Sequence, residues 1–211
     1  MNEGTIAMLF QWSLLCLVWM GSYDSLLREL RIQRRRLLAV LTAFLVCSFV
    51  SWKLYFAPVQ VSLSGTILSL FASIVLYTRL RKERRRLHLL GAMATAVLLV
   101  WLRWLFFTDP ILLFWDERMI VPMLAVAATL AMSRQSAAQL FQLLFALTFA
   151  DVLHAFYFSK LSGACVLGSD YAQDLLWTGV FVLSLILMIW STIRRFSRNK
   201  EPESSHSDAG R

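Results

Sequence analysis

The chain has 211 residues, of which 58% are hydrophobic and 16% charged, and its formal net charge is +8. A soluble domain averages about 45–50% apolar and roughly 25% charged residues, so this composition excludes an ordinary soluble protein. The basic residues lie in short clusters between apolar runs, which indicates orientation in a membrane rather than binding to nucleic acid.

The first apolar run, residues 5–22, is predicted to be a membrane helix that is retained. It carries Glu3 ahead of it, no Lys or Arg, and no small-x-small cleavage site, so it lacks the features of a signal peptide. Six further runs follow, each long enough to cross or nearly cross roughly 30 Å of hydrocarbon. The sequence therefore predicts an all-α polytopic transmembrane bundle over residues 1–193, with spans near 5–22, 37–56, 64–78, 87–107, 118–133, 137–158 and 174–193.

The connectors between these spans alternate in charge. The basic segments 28–36, 79–86, 133–135 and the tail 194–211 hold 17 of the 21 Lys and Arg residues. Because basic flanks stay in the cytoplasm, the N-terminus is predicted to lie outside and the C-terminus inside. The other four cations are predicted to be outward: Lys53, Arg103, Arg118 and Lys160.

Two polar segments have a simple prediction. The tail 194–211 lacks apolar side chains able to form a core and is predicted to be a disordered cytoplasmic segment. The third span carries hydroxyl side chains at spacings of four, three and four, which places them on one helix face and favours close helix packing over a conduction path. They are Ser62, Thr66, Ser69 and Ser73.

A cluster of three charges, Asp116, Glu117 and Arg118, precedes the fifth span. One alternative is a single long helix from Asp109, which would place the cluster inside the outer leaflet. The other is an interfacial elbow over 110–117, anchored by Trp115, with the crossing starting near Arg118 and Pro122 kinking its first turn. The elbow is preferred, since lipid-exposed charge costs about 2.5–3.5 kcal/mol.

A candidate polar pocket lies deeper. Asp151 and His154 are one turn apart on the sixth span, roughly 10 Å from its outer end, and Arg103 and Lys53 have similar predicted depth. Ionisable groups at such depth indicate a functional site, here a proton- or ion-coupled site or a site for an anionic ligand. The structural alternative is an Arg103–Asp151 ion pair. The candidate set is Lys53, Arg103, Asp116, Glu117, Arg118, Asp151 and His154.

Enzyme signatures are missing from the sequence. It contains no HExxH or GxSxG motif, no Gly-rich phosphate loop, no Cys/His metal spacing and no Lys in the seventh span for a Schiff base. No catalytic activity, cofactor or metal is therefore predicted. An enzyme acting on lipid-linked substrates remains a third alternative, with Asp116, Glu117 and His154 as its acid and base groups.

The chain resembles the YphA-type family of small membrane proteins from spore-forming Gram-positive bacteria. The resemblance rests on its size, its Arg-rich inner turns, "LSGTIL" at 63–68 and "DPILLFWDER" at 109–118, and it covers most of residues 5–193. It implies a cell-envelope protein without assigned activity, so it transfers no site residues.

These observations predict a multi-pass plasma-membrane protein that is a structural or interaction component of the envelope. Its expected partners are the lipid bilayer, anionic headgroups at the basic connectors such as 79–86, and a further membrane protein. The alternative is a small transporter or sensor with an outward-facing pocket around Arg103, Asp151 and His154.

Overall fold

A computed structural model describes residues 3–50, 52–56, 59–108, 116–162 and 165–200. The helices are α1 (Thr5–Trp19), α2 (Asp24–Leu30), α3 (Arg34–Val50), α4 (Leu68–Arg79), α5 (Arg85–Thr108), α6 (Glu117–Met132), α7 (Ser136–Ser162) and α8 (Asp170–Lys200). A π-helical turn, Leu63–Ile67, leads into α4. The strands are β1 (Lys53–Phe56), β2 (Val59–Ser62) and β3 (Cys165–Leu167).

Each of the seven predicted spans overlaps one of these helices, and α2 forms an additional helix that makes a 90° bend with α1. In the described part of the chain, three helices are long and apolar enough to cross a membrane unaided: α5, α7 and α8. The count rises to four if α1 and α2 are taken as one broken span. The protein is thus mostly helical, as predicted, whereas the number of crossings stays a prediction.

The small sheet departs from the all-α prediction. β1 pairs antiparallel with β2, and β2 pairs parallel with β3. Residues 53–56 were predicted to end the second helix, and β3 lies between the predicted sixth and seventh spans. The physical reason is local: Pro58 disfavours helix in the preceding residue, and the β-branched and aromatic residues on both sides of it favour extended backbone.

The last helix also runs further than predicted. The disordered tail was predicted to start at 194, but α8 continues to Lys200, and residues 201–211 lie outside the described part. Extending an existing helix needs no new nucleus, and Arg and Lys near a helix C-terminus interact favourably with its dipole. The elbow segment 110–117 with Trp115 lies almost wholly outside the described residues, and α6 begins at Glu117.

The helices α5, α7 and α8 pack around fully buried leucines, Leu99, Leu143 and Leu183. Alanines such as Ala96 and Ala146 are also fully buried, and small side chains let membrane helices approach closely. The predicted hydroxyl face of the third span is buried as well. Ser69 and Ser73 donate to the carbonyls of Ser64 and Ser69 at 3.3 and 2.8 Å, and the buried Thr66 hydroxyl has no hydrogen-bond partner among the described residues. Ser62 was predicted on the same helix face but lies on β2, where its hydroxyl accepts from the Gly65 N–H at 3.4 Å.

Contacts between helix termini define two ends of the bundle. The strand end carries the sheet and the N-termini of α1, α6 and α8. The basic end carries α2, the end of α4 and the start of α7. There Ser136 donates to Glu29 at 2.7 Å, and the Arg79 guanidinium donates to the Arg31 carbonyl at 3.2 Å.

Candidate functional site

The strand end contains a fully buried carboxylate that sequence reasoning missed. Asp174, in the first turns of α8, accepts hydrogen bonds from the backbone N–H of Gly4 at 3.0 Å and of Ala7 at 2.8 Å. These donors belong to the first turn of α1, where N–H groups have no intrahelical partner. The N-cap residue Gly4 has no side chain to offer, so Asp174 supplies the cap and its negative charge faces the positive end of the helix dipole.

The neighbouring Gln173 connects the other elements at this end. Its side-chain oxygen accepts from Ser64 at 2.9 Å and from Ser48 at 3.3 Å. Ser48 in turn accepts from the Gln11 amide at 3.1 Å. This buried chain of hydrogen bonds joins α1, α3, the π-helical turn and α8, and it satisfies polar groups that would otherwise be costly to bury.

Two glycines bring the π-helical turn and the β3–α8 junction into backbone contact. Gly168 has φ of 67°, and a Cβ added at Gly65 would lie 2.6 Å from the Gly168 carbonyl oxygen. The N–H of Gly168 donates to the carboxylate of Asp151 at 2.8 Å. Asp151 therefore fixes a turn of backbone, and no ion pair within 4 Å joins it to Arg103.

Arg103 pairs instead with Glu117, at 3.0 Å between Nε and Oε1, and its side chain is only 9% exposed. Asp116 is the N-cap of α6, and its carboxylate accepts from the Arg118 N–H at 3.1 Å. The guanidinium groups of Arg103 and Arg118 lie over the Tyr171 ring, at 5.5 and 5.4 Å from its centroid. Charged residues of α5 and α6 thus meet on one aromatic ring of α8.

Two cavities separate the predicted pocket residues. Arg103 and Asp151 both line a cavity of about 10 Å³, close to the size that holds one water molecule. His154 lines a different cavity of about 290 Å³ between α5 and α7, whose other walls are apolar or aromatic, and its ring stacks on Phe158 at 4.4 Å. Lys53 is exposed on β1, where it pairs across the sheet with Ser62.

The structure therefore groups the candidate residues differently from the sequence prediction. Arg103 and Arg118 lie over Tyr171, and Glu117 and Asp116 bind these two arginines. Asp151 is adjacent, because it lines the small cavity together with Arg103. In the described part of the chain, His154 and Lys53 do not line that cavity and make no cation–π contact with Tyr171. Tyr171, Gln173 and Asp174 were missed. The available signal was their position: polar side chains at 170, 173, 174 and 178 recur at helical spacing just before an apolar run.

The Arg103–Glu117 pair is expected to show energetic coupling. Arg103→Gln should lower the free energy of unfolding in detergent by about 2 kcal/mol, between the values typical of exposed and buried pairs. Glu117→Gln should lower it by about 1 kcal/mol. In a thermal double-mutant cycle, the double variant should lose about 1 kcal/mol less stability than the sum of the losses of the two single variants. Arg118→Gln is the control, since its carboxylate partner, Glu3, is exposed and 3.9 Å away. Strict additivity would show that the pair contributes no coupling.

The family model for the YphA-like integral membrane protein matches residues 3–208. No curated protein and no solved structure matches the chain.

Proposed function

The chain belongs to the YphA-like integral membrane protein family, and on this premise we propose that it is a multi-pass plasma-membrane protein serving as a structural or interaction component of the cell envelope. In this proposal it crosses the bilayer seven times, with the strand end outside and the basic end in the cytoplasm. The distribution of Lys and Arg supports that orientation. The basic end, rich in arginine, would contact anionic lipid headgroups.

One observation carries this proposal: three charged side chains of the strand end each bind a group of the protein itself. Asp174 binds the start of α1, Asp151 binds Gly168, and Arg103 binds Glu117. The cavity between Arg103 and Asp151 is close to the size of a single water molecule. Charged side chains that bind other helices and turns of the same protein stabilise its packing. These contacts support a structural role more than a pathway for a solute.

The same contacts bear on the enzyme alternative. An acid and a base must reach one substrate position, with about 2.6–3.2 Å between each group and the heavy atom that gains or loses the proton. Asp116 caps α6, Glu117 pairs with Arg103, and His154 lines the separate cavity between α5 and α7. This separation supports a protein without catalytic activity.

A transporter or sensor is the second candidate, favoured by the small cavity that Arg103 and Asp151 both line. In membrane helices such charged residues mark proton and ion paths. This alternative requires Asp151 to exchange its bond with Gly168 for a transported ion or proton.

Flux measurements distinguish a structural component from a transporter. Protein reconstituted in liposomes is expected to carry no H⁺, Na⁺ or K⁺ current above that of empty vesicles, in wild type and in Asp151→Asn alike. Asp151→Asn should lose only about 1 kcal/mol of stability, because an amide oxygen still accepts the Gly168 N–H, though more weakly than a carboxylate. Asp170→Asn is the control at the same end. Wild-type flux that Asp151→Asn abolishes and Asp170→Asn preserves would establish the transporter instead.

A further inference from the structure

The first strand of the sheet has an open edge. In the order β1-β2-β3 the strand β1 is terminal, and among the described residues it pairs with β2 alone. Two of its apolar side chains are also exposed, Leu54 at 45% and Tyr55 at 71%. An edge of this kind presents unpaired N–H and C=O groups that can accept another strand.

The register identifies which backbone groups face the open edge. The N–H of Leu63 donates to the carbonyl of Trp52 at 3.0 Å, so residue 52 faces β2. In an antiparallel pair the residues that bond to the partner strand alternate with residues that face away. Leu54 therefore faces β2 as well, and the N–H and C=O groups of Lys53 and Tyr55 face outward.

The surroundings of β1 make an unpaired edge unfavourable. Trp52 and Tyr55 are exposed beside the end of α3, whose last turns also expose Phe49 and Val50. Aromatic side chains of this kind occupy the membrane–water interface. Backbone groups there lose part of their hydration, and unsatisfied N–H and C=O groups become more costly as the environment becomes less polar.

We propose that β1 pairs antiparallel with β1 of a second copy of this chain, across a two-fold axis at Leu54. In this register Lys53 lies opposite the partner's Tyr55, and both residues contribute outward-facing backbone groups, so each forms a hydrogen-bonded pair. The register with Lys53 opposite the partner's Lys53 would juxtapose like charges, which is destabilising. A two-fold axis at Tyr55 would avoid this repulsion but would place Lys53 opposite residue 57, beyond the end of β1, so the axis at Leu54 is the one that pairs both Lys53 and Tyr55 within the strand.

The pairing closes on itself. A two-fold interface uses the same strand in both copies, so no edge of β1 remains for a third copy. At the other side of the sheet β3 packs against α7, which limits growth in that direction. The result is a six-stranded sheet shared by two bundles. The dimer rests on the structural role proposed above and identifies a second copy of the chain as the partner in that role.

Cysteine cross-linking in membranes tests the two-fold axis. In a variant lacking Cys16, Cys47 and Cys165, Leu54→Cys is expected to form a disulfide-linked dimer as the main species after mild oxidation. Opposed residues that do not exchange hydrogen bonds have Cα atoms about 4.5 Å apart, within the range that a disulfide spans. Val166→Cys on β3, 39% exposed, is the control and should stay monomeric.

Two further variants test the strand pairing itself. Adding Tyr55→Pro removes an outward-facing N–H but leaves the bonds of Leu54 to β2, so cross-linking should fall to the level of Val166→Cys. Copies with Lys53→Cys and copies with Tyr55→Cys, differently tagged and co-expressed, should form mixed dimers in preference to Lys53→Cys dimers.

Three results would overturn the dimer: no more cross-linking through Leu54→Cys than through Val166→Cys, products containing a different protein, or no preference for the mixed pair. If one of these results were found together with no ion flux in liposomes, the structural role would stand and only the dimer would be wrong. If ion flux were found together with an intact dimer, the structural role would be wrong and the dimer would stand.

Discussion

Replacing Gly65 with alanine is expected to lower the free energy of unfolding by about 3 kcal/mol, at the upper end of what overpacking costs, or to prevent folding. The added Cβ would lie 2.6 Å from the carbonyl oxygen and 2.8 Å from the Cα of Gly168. Both are backbone atoms, and Gly168 is held from the other side by the carboxylate of Asp151. Since neither side can yield, the π-helical turn and the β3–α8 junction would have to separate.

Gly91 provides the matched control, because it is also a close-contact glycine. A Cβ there would meet the side-chain nitrogen of Gln142 at 2.9 Å, the far end of a flexible side chain that can rotate away. Alanine also favours helix over glycine by about 1 kcal/mol, so Gly91→Ala should change stability by less than about 1 kcal/mol in either direction. Thermal unfolding in detergent, followed by size-exclusion chromatography, compares the two. Equal melting temperatures would refute the backbone contact.

The second large effect is expected at Asp174. Asp174→Ala removes the acceptor for two backbone N–H groups in a fully buried setting, and each bond to a charged group contributes about 1.5–3 kcal/mol. We expect a loss of about 3 kcal/mol in the same unfolding assay, since such terms are not additive. Asp174→Asn should fall in between, because its amide retains one acceptor oxygen but turns an NH₂ group toward a donor.

Glu3→Gln is the control for this prediction. It also removes a negative charge near the start of α1, but Glu3 is exposed and its distance to Arg118 is 3.9 Å, so the expected change is below about 0.5 kcal/mol. If Asp174→Ala were no more harmful than Glu3→Gln, the cap on α1 would contribute nothing to stability. The helix would then owe its position to apolar packing alone.

The sequence predicted the helices because their signal is local and repeated over many residues. α5, α7 and α8 each contain a long apolar run, and their bounds differ from the predicted spans by a few residues, apart from the extension of α8. The start of α6 can also be inferred from the sequence, since Asp116 is a favourable N-cap residue ahead of an apolar run. The strands were missed because each has only three or four residues and depends on pairing with a distant segment.

The contacts of the charged residues could not be predicted from the sequence, because they too depend on distant segments. Depth along a span placed Arg103 near Asp151, but depth does not determine which way a side chain points. In the bundle Arg103 of α5 pairs with Glu117 of α6. Asp151 accepts a hydrogen bond from the backbone N–H of Gly168, a glycine with positive φ. Asp174 was at the predicted start of the seventh span, and nothing near it in the sequence indicated donors 167 and 170 residues earlier.

That separation has a consequence for biosynthesis. Helix α1 depends for its cap on a residue of α8, and at about 5–20 residues per second the 170 residues between Gly4 and Asp174 take roughly 10 to 30 s to synthesise. Throughout that time the first turn of α1 lacks this carboxylate acceptor for its N–H groups. Synthesis of α8 therefore completes the start of α1, and a nascent chain halted before α8 would contain α1 without this cap.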